Sequence, residues 1–202
     1  GDAAPACDDA AWAVAARQAL AATDAKLARR FDAGAPADRL VALRARAVDV
    51  QVRAAWWCCF PNDAPLALFA VGGYGRGELF PQSDIDILVL AEPHEQHLWR
   101  DQLERFVAML WNAGLAASQA VRSLQECTEA AGDLTVLTAL MGARALCAGE
   151  TRAQQLQQAI AAERVWPAEA YFDAKCEEER LRHARFGDTS DNLEPNLKDG
   201  PG

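Results

Sequence analysis

Between Leu66 and Leu90 the chain permits few folds. "LALFAV" (Leu66 to Val71) is a short, continuous apolar run, the pattern of a strand buried on both faces. Gly72 and Gly73 close it, "YGRGELF" reads as one helical turn stopped at Pro81, and "DIDILVL" (Asp84 to Leu90) starts a second buried strand. Strand side chains alternate faces, so Asp84 and Asp86 point one way while Ile85 and Ile87 point the other. Two carboxylates on Cα atoms about 6.6 Å apart at the mouth of a buried strand are costly unless something offsets their charge.

The rest of the chain reads as helices around a small sheet. Residues 9–60 have helical spacing; in the later half Leu40, Leu43, Ala47, Val48, Val52 and Ala55 share a stripe, Asp38 is placed to cap it, and Pro61 and Pro65 bracket the turn that follows. "EQHLWRDQLERFVAMLWNAG" predicts one helix with Trp99, Leu103, Phe106, Val107 and Leu110 on its apolar face and Gly114 as its cap. "LAASQAVRS" is a third strand. Ser123 and Glu126 have capping-box spacing for the next helix, and Asp133 caps another through Ala143. Helices over about 150–164 and 167–185 complete the series, with Pro167 in a first turn. The order is helix, strand, strand, helix, strand, helices, which is α+β with a small mixed sheet. The expected division is an N-terminal helical segment (1–62), a core (63–148) and a helical extension (149–202). The tail after Phe186 is loop-like, which leads to the expectation that the chain is part of something longer.

The net charge of −9 argues against a general nucleic-acid binder, since phosphate backbones require a basic footprint. No run approaches membrane-spanning length, and the N-terminus lacks the basic-then-apolar order of a secretory signal. Six cysteines without Cys-x-x-Cys spacing, two of them neighbours, read as buried thiols in a reducing cytoplasm.

The chemistry concentrates at the two strand ends. Asp84 and Asp86 are the candidate catalytic carboxylates and metal ligands, suited to Mg²⁺ or Mn²⁺ shared with substrate phosphates. Gly72 and Gly73 let backbone approach a ligand, and a helical turn beginning at Tyr74 to Arg76 offers free amides to an anion. The candidate nucleotide-binding set is Gly72, Gly73, Tyr74, Gly75, Arg76, Ser83, Arg122 and Lys198. "GGYGRG" is neither a dinucleotide fingerprint, since a strand and not a long helix follows, nor a Walker loop, since Gly-Lys-Ser/Thr is missing. His94 and His97 read as solvated residues at a helix start, and Trp56, Trp57, Trp99 and Trp111 as packing.

Val71-Gly72-Gly73, ten residues, then Asp84-Ile85-Asp86-Ile87 resembles the signature of the polymerase-β-like nucleotidyltransferase superfamily. Within it, "AVGGYGRGELFPQSDIDILVL", "SLQECTEAAGDLTVLTALMGARALCAG", the Trp166-Pro167 pair and "YFDAKCEEERLRHARFGDTSDNLEPNLKDGPG" resemble, in order, the bacterial PII uridylyltransferase/uridylyl-removing family. That resemblance implies transfer of UMP from UTP to a tyrosine of the PII signal protein, with release of pyrophosphate and dependence on Mg²⁺ or Mn²⁺. It also implies uridylyl-removing and glutamine-sensing domains that this sequence does not contain. The superfamily commonly carries a third acid on a later strand. Here that strand reads "GLAASQAVRS", with Ser118 and Gln119 where related enzymes have Gly-His. Two alternatives stay open at this point: a nucleotidyltransferase acting on a small molecule such as an aminoglycoside, and a silent nucleotide-binding regulatory module.

Overall fold

A computed structural model describes residues 7–161 and 165–186. Two long helices come first, α1 (Asp9–Asp32) and α2 (Ala37–Cys59). The Asp8 side chain caps α1 by accepting from the amides of Ala10 and Ala11. At α2 the cap position is Pro36, and Asp38 lies inside the first turn, so the expected side-chain cap does not form.

The sheet follows in the strands β1 (Ala67–Ala70), β2 (Ile85–Leu90), β3 (Ala117–Arg122) and β4 (Arg144–Cys147). Their spatial order is β3-β2-β1-β4. β1 is antiparallel to both β2 and β4, while β2 and β3 run parallel. The short helix α3 (Gly72–Gly75) joins β1 to β2, and α4 (Pro93–Leu98) and α5 (Arg100–Asn112) make the crossover to β3. Beyond β3 come α6 (Leu124–Ala130), α7 (Leu134–Met141), then β4, α8 (Glu150–Ala159) and α9 (Ala168–Phe186).

One face of the sheet presents Leu68, Ala70, Ile85, Ile87 and Val89 to a core shared with α2 and α5. The other presents Ala67, Phe69, Leu88 and Leu90 to α6, α7 and α8. β1 is thus buried on both sides, which is why it shows no alternation. Of the stripe expected on α2, Leu40, Val48, Val52 and Ala55 are buried, joined by Trp56 and Cys59. Trp56, Phe60 and Phe106 stack at the centre of this layer.

The structure corrects the sequence reading at several points. β2 begins at Ile85, so Asp84 stands just before the strand. The single helix expected through Trp99 is two, with Trp99 as the joint between α4 and α5. β4 is a strand the sequence reading missed. Ser123 and Glu126 do form a reciprocal capping box, and Asp133 does cap α7. Cys7 and Cys58 form a disulfide, where all six cysteines were read as thiols. Cys7 lies just before α1, beside the last turn of α2, and neighbouring residues on a helix face different ways: Cys58 meets Cys7 while Cys59 points into the core. Cysteine usage therefore no longer argues for a reducing compartment. Burial pushes the thiols of Cys59, Cys127 and Cys147 up to about 11. No helix among the described residues is long and apolar enough to cross a membrane.

The corner between α7 and β4 fixes the position of α3. A Cβ added to Gly75 would lie 2.1 Å from the Gly142 carbonyl oxygen and 2.8 Å from that of Ala70, both backbone atoms. At Gly34, which turns α1 into α2 with φ +84°, an added Cβ meets nothing within 4 Å. Gly34→Ala therefore carries only a left-handed backbone penalty, about 1 kcal/mol. Gly75→Ala carries overpacking against rigid backbone, about 3 kcal/mol or more. Urea unfolding of the two variants checks this; equal losses would mean that the turn is not pinned against the α7–β4 corner.

Candidate active site

The site forms where β1 and β2 end beside α3. Because β1 and β2 are antiparallel, Val71 at the exit of β1 lies next to Asp86 at the entry of β2, and the Val71 amide donates to the Asp86 carbonyl (3.0 Å). Gly72 then takes φ +59°, a conformation that favours glycine. Its missing side chain leaves room for a carboxylate: a Cβ there would stand 3.1 Å from Asp86 Oδ2. The amides of Gly72, Gly73 and Tyr74 open the helical turn and so have no partner one turn back. The carboxylate and the glycine turn, read separately in the sequence, stand against one another.

Asp86 is half-buried, and its carboxyl is held above the ordinary carboxylate range. Burial is the main cause and the negative charge of Asp84 adds to it, while a hydrogen bond with Ser118 pulls the other way. Ser118 is the direct partner of Asp86 in the parallel β2–β3 register. Asp84 is exposed. A cleft of about 370 Å³ opens beside Asp86, between the sheet and α7. Val71, Leu88, Ser118 and Ala120 line one side, Thr135, Val136 and Ala139 the other.

The other candidate residues divide by position. The Tyr74 ring is buried and its hydroxyl donates to Asp49 (2.8 Å), so this residue offers the site only backbone. Gly75 packs inward against Gly142. The Arg76 guanidinium lies beside Gly73 and is held by Glu78 (2.8 Å). Ser83 is exposed in the turn before Asp84, its amide donating to the Phe80 carbonyl (3.1 Å). Arg122 lines the same cleft but pairs with Leu90, four residues further along β2 than Asp86, about 13 Å away at strand rise. Lys198 lies outside the described residues. Thr135, Val136 and Ala139 had no signal in the sequence beyond their place on an apolar helix.

A larger groove, about 560 Å³, lies between α1, α2 and Leu79–Gln82. Its wall is mostly apolar, with Leu27, Phe31, Leu40 and Phe80, and its one acid, Asp24, is already paired with Arg44. The smaller cleft is the one that Asp86 lines. Among the described residues no group of three or more His, Cys, Asp or Glu side chains is arranged to hold a metal ion. A cation here would have two carboxylates from the protein, Asp84 and Asp86, and would need its other oxygen ligands from elsewhere. That fits a hard ion that keeps water and shares substrate phosphates.

Comparison with known proteins agrees with this geometry. The nucleotidyltransferase domain family matches residues 58–127, the stretch that holds β1, α3, β2 and β3. The GlnD PII-uridylyltransferase family matches residues 170–202. The chain is 56% identical over 194 residues to a bifunctional uridylyltransferase/uridylyl-removing enzyme of Xanthomonas campestris pv. campestris, covering 96% of this chain and 22% of that protein. Proteins of the same name match from Xanthomonas euvesicatoria pv. vesicatoria (57% over 195 residues, 96% and 22%) and Azotobacter vinelandii (46% over 189 residues, 92% and 21%). The chain spans about a fifth of the length of these relatives. A glycine turn set against a strand-borne carboxylate, inside a small mixed sheet, thus stands in a stretch that matches the nucleotidyltransferase domain family, within a chain similar along nearly all its own length to about a fifth of these uridylyltransferase/uridylyl-removing enzymes.

Proposed function

We propose that the chain transfers UMP from UTP to a tyrosine hydroxyl of a PII-type signalling protein, releasing pyrophosphate, in the cytoplasm. The observation that carries this reading is that the Asp86 carboxylate occupies the space beside Gly72 where a Cβ would stand, which gives phosphate-facing amides and metal-binding carboxylates one common mouth. The names of the relatives supply the uridylyl group; the PII family match supplies the acceptor.

The residues divide the work in a definite way. The Gly72–Tyr74 amides hold phosphate oxygens, with Arg76 beside them. The nucleoside lies in the cleft between Ser118 and Ala139. Asp84 and Asp86 would hold Mg²⁺ or Mn²⁺, which when bound neutralises charge on the triphosphate. Ser118 keeps the Asp86 carboxylate turned toward the mouth. The phenol oxygen attacks the α-phosphorus, the bond to the bridging oxygen breaks, the pyrophosphate departs and the phenol proton is released. No acid stands on β3, so the protein supplies no third carboxylate from that strand.

Calorimetric titration with UTP, ATP and CTP, with and without Mg²⁺, tests this. Metal-dependent binding that prefers UTP is expected, weakened about 100-fold or more in Asp84→Asn/Asp86→Asn, since two charged ligands are lost. Binding that survives the double substitution would place the site elsewhere. Mass spectrometry of PII protein after incubation with UTP then reads the transfer itself.

Gly73 gives a second test. A Cβ there would meet only the Glu78 carbonyl at 3.4 Å and Arg76 Nη2 at 3.7 Å, ordinary contact distances. Gly73→Ala should keep the melting temperature within a few degrees and weaken UTP about tenfold, because the methyl intrudes where phosphate approaches backbone. Unchanged affinity would mean that the turn does not touch phosphate.

A further inference from the structure

Behind the glycine turn lies a polar network that no step above uses. Arg144, the first residue of β4, forms a two-pronged pair with Asp49 on α2: Nη1 to Oδ2 at 2.7 Å and Nη2 to Oδ1 at 3.0 Å. The same guanidinium donates from Nε to the Gly75 carbonyl (3.1 Å) and from Nη2 to the Tyr74 carbonyl (3.2 Å). Its carbon lies 5.6 Å from the centre of the Tyr74 ring. The Tyr74 hydroxyl closes the loop by donating to Asp49 Oδ1 at 2.8 Å. Only 13% of the Asp49 side chain is exposed, against 34% of Arg144, so the acidic partner is the shielded one. Hydrogen bonding with Asp49 also holds the arginine firmly in its charged form.

Each group has its partners from the others. Asp49 accepts from Arg144 and Tyr74, and Arg144 gives two further donors to two carbonyls of α3. The C-terminal side of a four-residue helix is thereby held by a charged fork rather than by neighbouring backbone alone. Five residues earlier on α2, Arg44 donates to the Phe80 carbonyl (3.1 Å) while paired with Asp24. The same helix thus grips the β1–β2 connection at both ends, at the glycine turn and just before Asp84.

We propose that Asp49 is a positioning residue for the nucleotide site, acting through Arg144 and Tyr74 to hold the Gly72–Gly75 backbone in register with the Asp86 carboxylate. This rests on the reading of that turn as the phosphate cradle. Asp49 itself does not meet substrate. It fixes where the amides point, and a misplaced cradle lowers affinity for the triphosphate more than it slows a bound one.

The test uses the full chain with Asp49→Asn, Tyr74→Phe and Arg144→Lys. Asp49→Asn keeps the shape but sets an amide donor against the guanidinium; Tyr74→Phe removes one hydroxyl; Arg144→Lys cannot span Asp49 and both carbonyls. Hydrogen exchange without nucleotide is expected to quicken over residues 72–77 in all three, with the sheet and α5 unchanged. In the transfer assay KM for UTP is expected to rise about tenfold or more, with kcat within about threefold, the pattern of lost ground-state positioning. Asp49→Glu, which restores the charge, should recover part of the KM. A role in stability alone would lower the active fraction and hence apparent kcat, leaving KM unchanged. If Asp49→Asn fails to fold, the milder Tyr74→Phe and Arg144→Lys decide. Unchanged exchange over 72–77, or quickened exchange with unchanged KM, overturns the proposal. Failure of the unaltered chain to bind UTP is a different result: it removes the proposed function, and the exchange experiment alone then judges whether the network holds the turn.

Discussion

The half-buried carboxylate of Asp86 sets the terms for everything around it. Every other residue of β2 is buried and apolar, so a charge at its second position costs several kcal/mol unless neighbours offset it. The surroundings answer in stages. Gly72 removes a side chain so that the carboxylate has space. Ser118, brought alongside by the parallel register, hydrogen-bonds to it. What is left unbalanced, with Asp84 adding a like charge, is what a divalent cation would neutralise. A fold seeking only stability would place an apolar residue here.

The parts of the fold written in local pattern were legible. Leu66 to Val71 reads as a doubly buried strand because its centre, Ala67 to Ala70, is one, and Ser123 with Glu126 announces a helix because the capping box needs only four consecutive residues. β4 was not legible: Arg144 to Cys147 is a four-residue edge strand rich in the same residues as the helix before it, and it is a strand because β1 has an open edge there. The break at Trp99 was likewise hidden, since no glycine or proline marks it in the sequence.

The site shows the same divide. Asp84, Asp86 and the two glycines stood out because their spacing relative to two strands carries the meaning. Tyr74 sits in that motif, yet its side chain faces the other way, which only the packing of α2 reveals. Asp49 and Arg144 are separated by 95 residues and share no local signature. The Cys7–Cys58 bridge was hidden for the same reason, because two adjacent cysteines on a helix face different neighbours and only the α1–α2 hairpin shows which one meets Cys7.

Charge bears on how a nucleotide reaches this site. The chain carries −9, so at long range it repels a triphosphate. At physiological salt such fields are screened beyond about 8 Å, which leaves the last approach to local groups. There the balance is also unfavourable for a bare anion: Asp84 and Asp86 stand at the mouth, Arg76 is partly neutralised by Glu78, and Arg122 lies well down the cleft. A free triphosphate gains the turn's amides only by coming close to two carboxylates. A triphosphate already carrying a divalent cation presents positive charge to those carboxylates and its remaining oxygens to the amides. In the proposed reading the acidic mouth therefore discriminates for the metal-bound nucleotide, and the carboxylates that disfavour the free ligand become part of its specificity.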